Sequence, residues 1–209
     1  MTENRPPRST LKLVRTLVWL LVALAVLGTA AILLIRRVSV HPPQTGSTTV
    51  VSSFGGPFTL VGADGKPFSS AKLIGTPYAI YFGFTRCGDV CPTTLSRLVK
   101  LRNQLGGTSK FNIVFVTIDP KHDGPKEVGQ YAALFNSPII GLTGSAMQIS
   151  QVKKQYGIYA EPSANPMPGK EMMHSAAVLL FDRKGTFVAT IAPDEPDSSA
   201  LAKLGQVTS

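Results

Sequence analysis

The chain has two cysteines, three histidines and one tryptophan in 209 residues. Two cysteines are too few for a disulfide framework tying distant segments together. No internal repeat is present, which excludes solenoids and propellers. Acidic residues are scarce, 12 against 21 Lys and Arg, for a net charge of +9. That surplus is no nucleic-acid footprint. Residues 1–37 hold six of the basic residues and one acid, leaving fifteen against eleven in the remainder. The remaining positive charges are scattered and form no stripe with aromatics, so nucleic acid is not an expected partner.

Most of the basicity belongs to membrane topology. Residues 17–35 carry no charge. At about 1.5 Å per residue they reach across a hydrocarbon core of roughly 30 Å. Arg5, Arg8, Lys12 and Arg15 precede the run, whereas only Arg36 and Arg37 follow it. The expectation is a cytoplasmic tail (1–16), a single-pass anchor (17–35) in a bacterial-type inner membrane, a polar linker (36–53) and an outward domain (54–209). A cleaved signal peptide is the competitor, with Gly28-Thr29-Ala30 as its cleavage site. The run continues well past a usual signal core, which favours the anchor. His41 lies in the linker and reads as solvated.

The domain is organised around Tyr78-Ala-Ile-Tyr-Phe-Gly-Phe-Thr-Arg-Cys-Gly-Asp-Val-Cys-Pro92. The apolar run to Phe84 reads as a buried strand, and Pro92, Leu95, Leu98, Val99 and Leu105 read as a helix with one apolar face. Between them lie Cys87 and Cys91, the only thiols. A thiol at a helix N-terminus meets unpaired N–H groups and the positive end of the dipole, which favour the thiolate. A plain disulfide would close so short a loop that it gives about 2 kcal/mol at best. Two unrelated buried thiols are the blander alternative. Three intervening residues leave room for both sulfurs to converge on an ion as well as on each other.

Around this core the pattern predicts a hairpin over 57–69, a strand over 111–118 and a helix over 127–135 with Tyr131, Leu134 and Phe135 on one side. A weak strand over 138–143 and a helix over 146–156 follow, then a hairpin over 176–191 and a short helix over 198–204. That order implies an α/β, thioredoxin-like mixed sheet flanked by helices, with the thiols at the carboxyl end of its first core strand. Residues 165–175 read as an irregular Pro/Gly-rich segment, with His174 entering the strand that begins near Ala176. In such a fold that loop faces the thiol turn, so Cys87, Cys91 and His174 could converge. Two sulfurs and an imidazole suit copper in either oxidation state, and zinc as well. Read alone, His174 is equally an ordinary strand-edge histidine. Met167, Met172 and Met173 are near enough to supply a thioether, although methionine is more often filler. His122 reads as a solvated loop residue.

With Phe82-Gly-Phe-Thr-Arg-Cys-Gly-Asp-Val-Cys-Pro92, Val116-Thr-Ile-Asp-Pro-Lys-His-Asp123 and the lone His174, the chain resembles the Sco/SenC copper-binding proteins from about Gly55 to Ala192. The resemblance implies a membrane-tethered thioredoxin-like fold that binds Cu(I) or Cu(II) through Cys87, Cys91 and His174. It implies delivery of copper to the dinuclear copper-site subunit of cytochrome c oxidase. Asp89 and Asp119 match acidic residues of the family and would support the site from behind its ligands. The family usually has proline after the first cysteine; here Gly88 stands there, which should loosen the turn. The rival reading is a thiol–disulfide oxidoreductase cycling Cys87 and Cys91 to reduce the oxidase's cysteines. A copper- or redox-responsive regulator is a weaker third.

Overall fold

In the computed structural model, residues 17–29, 54–165 and 167–209 are described. The expected tail, the linker with His41 and the last part of the expected anchor lie outside them. Residues 17–29 are helical, and every one is exposed, including Leu17, Trp19, Leu20, Leu24 and Leu27. Among the described residues no helix is long and apolar enough to cross a membrane.

The remainder begins with the expected hairpin, β1 (Thr59–Gly62) and β2 (Pro67–Ser69), paired antiparallel across Gly62-Ala-Asp-Gly65. Then come β3 (Tyr78–Gly83), α1 (Val90–Gln104), β4 (Asn112–Thr117), α2 (Pro125–Ala133), β5 (Ile140–Thr143) and α3 (Ala146–Gln155). A small hairpin of β6 (Ala160–Pro162) and β7 (Met172–His174) precedes β8 (Val178–Phe181), β9 (Phe187–Ile191) and α4 (Asp197–Thr208). Seven strands form one mixed sheet in the order β2-β1-β5-β4-β3-β8-β9. β3 runs parallel to β4, which runs parallel to β5, while β8 is antiparallel to β3. Parallel neighbours need crossovers, and α1 and α2 supply them.

All six residues of β3 are buried. A strand covered on both faces reads as a continuous apolar run, which is why the sequence marked it so clearly. Its carboxyl end is fastened to the loop after β4 by the fully buried Asp123. Asp123 accepts hydrogen bonds from Thr85 N (2.9 Å), Thr85 Oγ1 (2.5 Å) and Thr117 Oγ1 (2.6 Å).

Three expectations are corrected. α1 begins two residues before Pro92, at Val90, so Cys91 is inside the helix. Pro92 remains in the first turn, where its missing N–H costs nothing. α2 ends at Ala133, and Leu134, released from the helical register, is 71% exposed instead of sharing Tyr131's buried side. Residues 165–175 are not merely irregular. The chain folds back so that Ala160 pairs with His174 and Pro162 with Met172. His174 therefore closes β7 and does not enter β8. Three-residue strands separated by a loop leave too little alternation to be read from sequence.

Replacing Asp123 with alanine strands Thr85 N–H and two hydroxyls in a dry site. The Asp123→Ala chain should lose about 2–4 kcal/mol of stability in urea unfolding, with an unchanged m-value. A loss below about 0.5 kcal/mol would show that this carboxylate does not hold the two loops.

Candidate metal centre

The site starts where β3 ends. A Cβ on Gly83 would lie 2.8 Å from Cys91 Sγ, so the glycine leaves the volume that the sulfur fills. Cys91 is fully buried, and Cys87 is 7% exposed. Both are free thiols. The Cys91 N–H, which has no partner within the first turn of α1, donates to Cys87 Sγ at 3.4 Å. From below, the buried Tyr81 hydroxyl donates to Cys91 Sγ at 3.5 Å. The two thiols therefore titrate in opposite directions. A hydrogen bond from the Cys91 thiol stabilises the Cys87 thiolate and, against the opposing effect of burial, lowers its pKa to about 4. The same bond, together with burial, pushes Cys91 up. The arrangement favours a thiolate at Cys87 over one at Cys91.

His174 arrives from the opposite side. Its Nδ1 lies 2.9 Å from the Ser175 carbonyl oxygen, which can only accept. Nδ1 thus carries a proton, and Nε2 is directed toward Cys91 Sγ, 3.8 Å away. Donors about 2.3 Å (sulfur) and 2.0 Å (nitrogen) from one ion, at about 120°, stand roughly 3.7 Å apart. The observed spacing suits a shared ion. Among the described residues, however, no group of three or more His, Cys, Asp or Glu is already gathered as a bound ion requires. Cys91 Sγ lies 3.8 Å from His174 Nε2, and Cys87 and His174 border one cavity.

The hairpin carrying His174 is tied to the thiol turn. Residues 167–170 form a turn closed by Lys170 N–H to Met167 O at 2.8 Å, with Pro168 and Gly169 at its centre. Gly169 has φ +81, and a Cβ there would meet Gly88 N at 2.9 Å. This close approach lets the Gly88 N–H donate to the Gly169 carbonyl at 3.2 Å. The expected looseness of Gly88 is offset by a bond that proline, lacking an N–H, could not make. Beside it Arg86 Nη1 lies 3.7 Å from Glu171 Oε1.

Neither carboxylate singled out from sequence hydrogen-bonds a sulfur, although the Asp89 backbone N–H is bonded to Cys87. Asp89 is exposed, caps the start of α1 without a side-chain hydrogen bond, and borders the cavity beside Cys87. Asp119 accepts from Arg86 Nη2 at 2.9 Å and lies 2.8 Å from His122 Nδ1. Burial alone would raise Asp119, yet the Arg86 and His122 hydrogen bonds hold it below the usual range. Asp119 thus orients the residue next to Cys87. His122, expected to be solvated, is half-exposed and bound into this network. Tyr81 and Gly169 were missed: one read as core and the other as loop filler, and nothing local distinguishes either role.

Comparison with known proteins settles the family. The SCO1/SenC family model matches residues 46–209. The chain belongs to the SCO1/SenC family. It is 33% identical to the mitochondrial protein SCO2 of Saccharomyces cerevisiae over 73% of this chain and 52% of that one. It is 37% identical to the SCO2-like protein RP587 of Rickettsia prowazekii over 64% of this chain and 67% of that one. The chain therefore spans about half the length of the yeast relative. Among solved structures it is similar to Bradyrhizobium japonicum ScoI with copper bound, at TM-score 0.64 and 33% identity, over 74% of this chain and 99% of that one. The expected thioredoxin-like α/β fold is that of these Sco proteins.

Because the Cys87 pKa is lowered, its thiolate persists as pH falls and is lost only near pH 4. One thiolate's absorbance near 240 nm should stay flat from pH 8 to about pH 5 in the reduced protein, and Cys87→Ser should remove it. A fall in absorbance between pH 9 and pH 7 instead would overturn the assignment.

Proposed function

We propose that this protein binds one copper ion through Cys87, Cys91 and His174 and delivers it to the dinuclear copper site of cytochrome c oxidase. The observation that carries the reading is His174. Its Nδ1–H is occupied by the Ser175 carbonyl and its Nε2 is aimed at Cys91 Sγ. A metal ligand needs that tautomer and orientation, whereas a dithiol reductase needs no imidazole there. Copper-bound Sco structures, ScoI among them, support the choice of ion.

Copper here is cargo. Cys87 offers a thiolate at neutral pH, so it is the first strong ligand; Cys91 must lose its proton, held toward Cys87, to become the second. His174 sits at the end of a short hairpin strand, so it can let go while two sulfurs keep their grip. A firm hold with one detachable ligand suits transfer to another protein's donors. The lowered Cys87 pKa also supports the second reading, a thiol–disulfide oxidoreductase acting on the oxidase's cysteines. Against it, Cys91 is fully enclosed, which limits access to a protein disulfide.

The two readings separate at His174. In the full chain, His174→Ala should weaken copper binding about 10-fold or more, for loss of one of three ligands. The cysteines' reducing ability should change far less. Cys87→Ser or Cys91→Ser should remove most of the thiolate-to-Cu(II) charge-transfer absorption. In cells producing normal amounts of the His174→Ala chain, oxidase activity should fall and recover with added copper. Normal oxidase assembly despite abolished copper binding would leave the reductase.

We further propose that residues 17–35 anchor the chain in the membrane, with 1–16 in the cytoplasm and 36–53 linking to the domain at 54–209 outside it. The basic excess before residue 17 and the exposed apolar helix over 17–29 support this. A reporter active only outside the cytoplasm, fused after Ser209, should be active. A silent fusion whose cytoplasmic counterpart works would reverse the orientation.

A further inference from the structure

A cavity of about 340 Å³ lies outside the thiol pair, bordered by Phe84, Cys87, Asp89, Met167, Met172 and His174. Three of the chain's five methionines, Met167, Met172 and Met173, border this one space. Methionine is among the residue types most often buried. Here Met167 is 57% exposed, on the turn whose tip is bonded to Gly88. Met172 and His174 are both half-buried positions of β7, two residues apart. Alternation along a strand puts them on one face, the face toward Cys87. Met173 also borders the space, but it alternates away from Met172 and His174 and is 55% exposed. Met167 and Met172 thus line the same space as Cys87 and His174, and its volume admits an ion.

Thioether sulfur is a soft, neutral donor that selects Cu(I) over harder ions. We propose that Met167 and Met172 form a weak Cu(I) site that receives the ion ahead of Cys87 and Cys91. The inference rests on the copper-carrier reading and extends it to the route of entry. Loading is ligand exchange throughout. Cu(I) leaves its donor for the two thioethers without displacing a proton, since neither methionine carries one to lose. It then passes inward to Cys87 and Cys91, and each sulfur's thiol proton, where still held, leaves as that sulfur becomes a ligand. No electron moves in either step. The ordering follows from strength and exposure. Neutral thioethers at the rim bind loosely enough to release, and a thiolate behind them binds more firmly.

The test uses the full chain in detergent, reduced and free of oxygen, titrated with Cu(I) against chelators of graded affinity. With Cys87→Ser and Cys91→Ser in place, one weaker Cu(I) site should remain. Adding Met167→Leu and Met172→Leu should weaken that site 10-fold or more, whereas Met173→Leu should leave it unchanged. Leucine for methionine conserves volume, so folding should hold. A second readout needs no methionine substitution: in the double-serine chain, Cu(I) should shift the methyl resonances of Met167 and Met172 and not that of Met173. Absence of residual Cu(I) binding, or binding indifferent to the Met167/Met172 pair with unmoved methyls, overturns the proposal. Its failure is distinct from failure of the carrier reading. The chain with only Met167→Leu and Met172→Leu should still hold one ion at its cysteines, loading it more slowly. A chain with native cysteines that held copper only through the methionines would sink the carrier reading and leave this site standing.

Discussion

Burial of β3 on both faces is the constraint from which the site follows. A strand flanked by β4 and β8 and covered by helices cannot continue outward, so the chain must turn at its carboxyl end and return as α1. The turn is short, and the first turn of α1 therefore sits directly above Gly83. Cys91 occupies the volume that a side chain at Gly83 would otherwise fill. Backbone N–H groups left free at the helix start point at the thiols, and Cys87 takes one of them. Thiol chemistry here is a consequence of how a buried parallel strand hands over to its crossover helix.

The opposite wall is built differently. The β6–β7 hairpin has little core of its own. Its contacts with the thiol turn include Gly88 N–H to Gly169 O, Arg86 beside Glu171, the approach of His174 to Cys91 and edge-on packing of His174 against Phe84. Two are polar contacts at the surface, individually weak. The rigid half of the site thus carries the sulfurs, and the lightly fastened half carries the imidazole and the thioethers. That division suits the proposed carrier role, in which an ion must be held and also given up. A wall buried as deeply as β3 would hold copper without a way to release it.

Charge is placed with the same asymmetry. The thiolate is favoured at Cys87, the sulfur nearer the cavity, and disfavoured at the deeper Cys91, to which Tyr81 donates. Around them, Asp119, Arg86 and His122 form a network that steadies the residue before Cys87 without adding a second anion beside the thiolate.

What the sequence by itself determined is everything carried by a local pattern. The continuous apolar run of β3, the cysteines at a helix start, the uncharged run over 17–35 and the order of most elements all depend on residues close in the chain. Periodicity and propensity report such features directly. Cys87 and Cys91 were legible because four residues across one turn set their spacing. His174 could be named from the sequence, but not its geometry: it lies 83 positions from Cys91. Its strand is only three residues long, too short for alternation to show. Tertiary structure alone decided its tautomer, through Ser175, and the buried role of Asp123 in joining the loops after β3 and β4. It also decided the Gly88–Gly169 bond and the gathering of Met167 and Met172 beside Cys87. The physical reason is common to all of these. Each is a contact between segments whose approach is set by sheet order and by burial elsewhere, and nothing within a few residues of either partner encodes it.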